Sequence, residues 1–335
     1  MDRKQPASGE DSLIARYFKP LATDPGAFDL DDDAAVVKTP GDDIVVTTDA
    51  IVEGVHFLSD DPADTVARKA LRVNLSDLAA KGAIPAGFVL TLALRSADDA
   101  WLTAFALGLG EDAKQFGCPL LGGDTVSTPG PLMISIAAFG RLPPGKMVHR
   151  SGAKPGDRVV VTGTIGDATL GLDILRGGAV AAAVGEDARA RETLIGRYRV
   201  PQPRNALAQA VRDHAGAAMD VSDGLAGDLA KLCGTSGVSA VIDAQSIPLS
   251  AAAAILLARG AVGMETLVSG GDDYEILCAV PDDCFEAFAR EARFAGVTVT
   301  SIGTIMADTS APRFLDGQGR EMALKRLSYS HFHDS

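Results

Sequence analysis

The chain has 335 residues, 47% of them apolar and 22% charged. That is material for two sizeable cores and rules out a disordered or collagen-like chain. The formal net charge of −13 and pI of about 4.8 repel nucleic-acid backbones. No Lys/Arg cluster supplies a local basic face, so a nucleic-acid partner is excluded.

Four scattered cysteines (Cys118, Cys233, Cys278, Cys284) contain no CxxC pair, so buried free thiols are expected instead of disulfides. Met1–Glu10 is polar and carries no apolar core of a signal peptide. No run of about 18 apolar residues is present to cross a bilayer, so no membrane role is expected and the cytoplasm is the expected location.

In chain order, Ser12–Phe18 has an amphipathic helical pattern and Thr23–Asp33 reads as an Asp-rich loop. Ile44–Thr48 reads as a short strand ending at Asp49. A helix follows, with Asp61 as its cap, Pro62 in its first turn and Gly82 at its end. Val66, Ala70, Val73 and Asp77 recur at helical spacing, which puts Asp77 late on that helix. Phe88–Leu94 and Leu132–Phe139 read as buried strands around a helix over Asp98–Phe116. Arg141–Asp157, with three prolines, is the expected domain junction. Beyond it, strands are expected at Arg158–Thr162, Ala217–Val221, Ser239–Asp243, Tyr274–Val280 and Val297–Ile302. Helices are expected at Ala168–Arg176, from Pro203 towards His214, at Leu225–Cys233, within Leu249–Arg259 and at Asp282–Phe294. The expected fold class is therefore mixed α/β in two domains, 1–150 and 151–335.

The aspartates fall in an unusual pattern. Asp31-Asp32-Asp33 precedes an apolar run, Asp49 abuts a strand and Asp77 lies on a helix. Gly122-Gly123-Asp124 follows apolar residues, Asp220-Val-Ser222-Asp223-Gly224 joins a strand to a helix, and Gly270-Gly271-Asp272-Asp273 precedes a strand. Each alone fits a turn or an N-cap. Six such sites, several flanked by glycine, point instead to loops converging at one end of a sheet. Such hard oxygen ligands suit Mg²⁺ bridging to phosphates. Gly140–Met147 nearly fits a phosphate-binding GxxxxGK[ST] loop, but Met147 lacks the hydroxyl, and Pro143 and Pro144 lack the N–H groups a cradle needs. It reads as a linker. His331 and His333 have no further ligands nearby for zinc.

These segments resemble the thiamine-monophosphate kinase family. The resemblance rests on Asp32–Val36, Thr47–Asp49, Glu53–Phe57, Asn74–Ala80, Gly122–Thr125, Arg150–Asp157, Asp220–Leu225 and Gly270–Glu275, in order, over about Ser12 to Phe332. It implies a superfamily shared with aminoimidazole ribonucleotide synthetase, selenophosphate synthetase and a hydrogenase-maturation protein. It also implies an N-terminal α/β domain dimerising through its sheet into a homodimer, with a C-terminal α/β domain closing over the nucleotide. The implied reaction is transfer of a phosphoryl group from ATP to thiamine monophosphate. By the same resemblance, Asp33, Thr47, Thr48, Asp49, Asp77, Asp124, Asp220 and Asp223 are magnesium ligands, with Asp49, Asp124 and Asp223 at the catalytic centre. Gly123, Asp124, Arg150 and Ser222 would contact ATP; His56, Asp272 and Tyr329 would line the thiamine-phosphate site. Two departures stand out: Asp31 replaces the family's usual Gly, and Asp272 its usual Glu.

Within the superfamily, selenophosphate synthesis would need a reactive Cys near the N-terminus, and none precedes Cys118. The hydrogenase-maturation protein would need a C-terminal Cys, whereas this chain ends His-Asp-Ser. An aminoimidazole ribonucleotide synthetase-like enzyme and a non-catalytic nucleotide binder stay as alternatives.

Overall fold

The structure is a computed structural model that describes Lys19 and residues 25–328. The helix expected at Ser12–Phe18 and Tyr329, expected at the acceptor site, lie outside the described residues.

The first half builds a five-stranded sheet from β1 (Ala35–Val37), β2 (Asp43–Val52), β3 (Ile84–Leu94), β4 (Leu120–Ser127) and β5 (Met133–Leu142), in the order β1-β2-β5-β3-β4. Only β3 and β4 run parallel; the other neighbours are antiparallel. Along β2, Val45, Thr47 and Ile51 are buried while Thr48 and Ala50 are exposed. This period of two gives the sheet one packed face. Helix α1 (Ala63–Ala80) covers that face and α2 (Asp99–Gln115) packs on α1. Gly108 permits the crossing, because a Cβ there would stand 2.5 Å from the carbonyl oxygen of Asp64.

The second half has a six-stranded sheet made of β6 (Arg158–Thr162), β7 (Ala217–Asp220), β8 (Ser239–Asp243), β9 (Ile276–Val280), β10 (Val299–Met306) and β11 (Arg313–Leu315). Its order is β11-β8-β10-β6-β9-β7. Every residue of β7 and β9 is buried, as expected of strands covered on both faces. Helices α3 (Asp167–Leu175), α4 (Ala179–Val184), α5 (Ala188–Arg199), α6 (Ala208–His214), α7 (Leu225–Ser236), α8 (Ala251–Ala258), α9 (Met264–Ser269) and α10 (Phe285–Phe294) complete this half.

Helix α1 is buried nearly all round because it serves both halves. Lys81, at its C-terminal cap, donates to the Ala218 carbonyl at 2.8 Å. Arg72 donates to the Pro201 carbonyl at 2.9 Å and grips the buried Asp112 carboxylate at 2.5 and 2.9 Å. Asn205 donates to the Leu75 carbonyl at 3.0 Å.

Three sequence expectations change. Asp61 does not cap α1, whose N-cap is Pro62 without a side-chain bond. The Asp61 carboxylate instead accepts from the Leu58 amide and from Arg199. Asp49 does not end β2, which runs three residues further. Gly122–Thr125 is not a loop after a strand but lies inside β4, an edge strand exposed along its whole length.

Candidate active site

Asp33, Asp77 and Asp220 each place a carboxylate oxygen within 4.8 Å of the other two. They reach this point from the segment before β1, from the last turn of α1 and from the C-terminal end of β7. Both halves of the chain therefore build the cluster. Thr47 Oγ1 on β2 donates to Asp77 at 2.5 Å, and the Asp49 amide donates to Asn74 Oδ1 at 3.1 Å, which fixes β2 against α1.

The electrostatics divide the cluster in two. Asp32 and Asp33 are matched by cations: Lys81 lies 2.7 Å from each, and Arg150 pairs with Asp33. Against the opposing effect of burial, these charges and hydrogen bonds hold both carboxyls below the usual range. Among the described residues, no cation pairs with Asp77 or Asp220. Burial, then neighbouring carboxylates, push both well above the usual range. Burial and the Asp33 and Asp223 charges likewise push Asp49 up to about 6.

Beside this cluster opens a cavity of about 290 Å³. Asp49, His56, Ser222, Asp223 and Asp272 all line it, together with Arg176 and Tyr274. It thus gathers residues that the resemblance divided among metal, nucleotide and acceptor. Asp223 is paired with Lys231 at 2.6 Å on the first turns of α7, and its amide donates to Asp228 at 3.0 Å. Burial raises Asp228 to about 6.

The Gly270–Glu275 strap that carries Asp272 is pinned from both sides. Buried Asp273 accepts from the Gly166 amide at 2.7 Å, at the start of α3. Glu275, fully buried, accepts from Arg197 at 2.6 Å, Arg204 at 2.5 and 2.6 Å, and Thr162 at 2.6 Å. Next to these anchors Asp272 (φ 72°) and Tyr274 (φ 50°) take left-handed backbone. Aspartate is among the side chains that tolerate this region best, a local reason for the short acid at 272. The departure at Asp31 is also accommodated: the left-handed residues of that turn are Phe28, Asp29 and Leu30, and Asp31 pairs with Lys19 at 2.5 Å.

Not every expected residue joins the cluster. Asp124 sits beside Thr91, Thr91 beside Ser135, and Ser135 beside Ala50. That row includes neither Thr47 nor Asp49 and faces away from α1, as does the exposed Thr48. Gly123 and Asp124 are three strand positions from β2, about 14 Å at the usual spacing. Arg150, expected on ATP, lies against Asp33.

Sequence reasoning missed Lys69, Lys81, Tyr198 and Lys231. Lys69 and Lys81 look like solvent-facing lysines, and only the burial of α1 on every side reveals otherwise. For Lys81, local spacing points to Asp77 at i,i+4, whereas its partners are Asp32 and Asp33.

Residues 31–142 match the family described as AIR synthase related protein, N-terminal domain, and residues 154–313 match the corresponding C-terminal domain. The chain is 46% identical to a thiamine-monophosphate kinase of Caulobacter vibrioides over 95% of this chain and 89% of the relative. It is 41% identical to that of Escherichia coli K12 over 97% of this chain and 99% of the relative. Among solved structures, AaThiL complexed with AMPPCP and TMP superposes with a TM-score of 0.83 at 26% identity, covering 99% of both chains. Thiamine-monophosphate kinase from Stenotrophomonas maltophilia K279a superposes with a TM-score of 0.77 at 36% identity, covering 94% of this chain and 98% of that one. The chain belongs to the thiamine-monophosphate kinase family.

Proposed function

We propose that this protein transfers the γ-phosphoryl group of ATP to thiamine monophosphate, forming thiamine diphosphate and ADP. The observation that carries the reading is the single cavity into which both halves of the chain aim carboxylates, beside His56 and Asp272. The family membership and the AaThiL complex with AMPPCP and TMP support it.

The donor set fits Mg²⁺: hard oxygens only, several per site, with Asp77 and Asp220 crowded enough that a cation between them relieves their repulsion. Asp33, Asp77 and Asp220 would hold the ion nearest the domain junction, with Asp49, Thr47 and Asp223 adjoining. Bound Mg²⁺ would neutralise and orient the phosphates of two polyanions. The acceptor is a phosphate monoester with a second pKa of about 6, so its oxygen is largely ionised at neutral pH and needs no general base. That oxygen attacks the γ-phosphorus in line, and the bond from γ-phosphorus to the β,γ-bridging oxygen breaks, its electron pair leaving with ADP. Ser222 and Arg150 would contact the nucleotide, while His56, Asp272 and Tyr329 would hold the acceptor. Both arginine and serine are donor groups, which suits them to phosphate oxygens.

Thr48, Gly123 and Asp124 belong to the other face and edge of the first sheet, and we propose that a second copy of the chain completes the site with them. Leu121, 62% exposed on β4, and the fully exposed edge support a homodimer built through this sheet. The division into domains 1–150 and 151–335 is part of the same proposal, as is a cytoplasmic enzyme without membrane or nucleic-acid partners. No helix among the described residues is long and apolar enough to cross a membrane.

Mixing the protein with ATP, Mg²⁺ and thiamine monophosphate tests the reading. Thiamine diphosphate is expected, with none from free thiamine or in EDTA; its absence from the complete mixture refutes the kinase assignment.

A further inference from the structure

Lys69 lies midway along α1 and is only 1% exposed. Its ammonium donates to the His56 carbonyl at 2.8 Å and stands 3.3 Å from the Asp272 carboxylate. It also sits 3.9 Å from the centroid of the Tyr198 ring, and the Tyr198 hydroxyl donates to the same His56 carbonyl at 3.3 Å. One cation from the first half thus ties together two walls of the cavity and an aromatic ring from α5.

Burying an ammonium is costly, and burial lowers the Lys69 pKa while Asp272 and Asp61 oppose that effect. A helix–strap staple needs no charge; a pair of apolar side chains would serve as well. What a cation adds is direction. Asp272 is on left-handed backbone, its amide held by the Ser222 carbonyl at 2.8 Å, and its carboxylate is 25% exposed at the cavity. Among the described residues, Lys69 is the cation paired with that carboxylate, so the ammonium is what fixes its torsion.

We propose that Lys69 is a positioning residue of the acceptor site, aiming the Asp272 carboxylate and the His56 backbone at the bound acceptor. Resting on the kinase reading, this deepens it. Thiamine monophosphate carries a thiazolium cation between its aminopyrimidine and its phosphate. An anionic wall at Asp272 gives the cationic ring its own place and leaves the phosphate for the carboxylate-bound metal. Lys69 touches neither reacting atom and acts through Asp272.

The test compares wild type, Lys69→Met, Lys69→Arg, Asp272→Asn and the Lys69→Met/Asp272→Asn pair. Steady-state kinetics with thiamine monophosphate and ATP would be joined by calorimetric binding of thiamine monophosphate. Lys69→Met is expected to raise the acceptor KM about tenfold or more, with kcat and the ATP KM within about threefold of wild type. In the double variant the two effects should overlap, so adding Lys69→Met to Asp272→Asn changes the acceptor KM by less than about twofold. Lys69→Arg keeps the charge, and hence the fold, but places a planar head differently; an intermediate rise in acceptor KM is expected. An unchanged acceptor KM in both Lys69 variants, equal losses in kcat and both KM values, or effects that multiply in the double variant would each overturn the proposal. Should wild type form no thiamine diphosphate, the kinase reading fails by itself; weakened calorimetric binding in Lys69→Arg would still support Lys69, and unchanged binding would overturn it.

Discussion

Asp77 and Asp220 are expensive to bury without a cation between them. Their neighbours Asp32 and Asp33 have Lys81 and Arg150; these two have each other and Asp49. The metal-free protein should therefore show a particular pH dependence. Asp49 and Asp228 titrate near about 6 in the folded protein, above the ordinary aspartate value, so the folded state binds more protons than the unfolded state between about pH 4 and 6. Stability contributed by the protonated forms is present at the acid end of that window and is lost as pH rises through about 6. Asp32 and Asp33, whose pKa values are depressed, act oppositely and lose their contribution only as pH falls below the ordinary aspartate range. Thermal melts in EDTA should show the midpoint falling from pH 5 to pH 7.5, and saturating Mg²⁺ should flatten that slope. Identical slopes with and without Mg²⁺ would contradict the assignment of Asp49, Asp77 and Asp220 to a metal site.

At the level of elements, β4 is held close to β3 by the absence of a side chain. A Cβ on Gly123 would stand 2.0 Å from the Leu90 carbonyl oxygen, whereas one on Gly122 would meet nothing within 4 Å. Gly123→Ala should destabilise the protein by about 1–3 kcal/mol in urea titration, while Gly122→Ala should stay within about 0.5 kcal/mol of wild type. Equal effects would mean that β4 is not packed as described. The same strand shows where sequence reading runs out. Its two glycines and aspartate carry turn chemistry, and its exposed residues lack the alternation that a one-sided strand displays, so local pattern pointed to a loop. By contrast, β6 and β8 were legible to the residue, because Val159–Val161 and Ala240–Ile242 are apolar runs with abrupt polar ends. The continuous burial of α1 was not legible either: Lys69, Arg72 and Lys81 each gain, beside partners in the first half, a partner from the second half that is distant in sequence. Helix α5, with its polar composition, gave no strong periodic signal, yet it brings Arg197 to Glu275 of the strap and Tyr198 to Lys69 and the His56 carbonyl.

Across the whole molecule, the carboxylates divide between α1-facing residues that one chain assembles and the Thr48/Asp124 set on the opposite face. If a second copy supplies the latter, inactive variants should complement each other. Mixing refolded Asp124→Asn and Asp77→Asn chains in equal amounts should restore about a quarter of wild-type activity, since half the random dimers hold one intact site of two. No recovery from a mixture shown to contain heterodimers would place both residues in the same subunit's site. The aspartate pattern made the chemistry of this site legible from sequence; which face of the sheet each aspartate occupies depends on strand register, which the resemblance could not supply.

The most direct test of the central claim follows the phosphoryl group itself. Enzyme, Mg²⁺, thiamine monophosphate and ATP labelled at the γ-phosphate would be quenched during a single turnover, and product and protein fractions counted. Direct transfer in the cavity beside the Asp33/Asp77/Asp220 cluster predicts label in the terminal phosphate of thiamine diphosphate and none on the protein at any time. Label passing first through the protein, or appearing as inorganic phosphate with thiamine monophosphate unchanged, would contradict it.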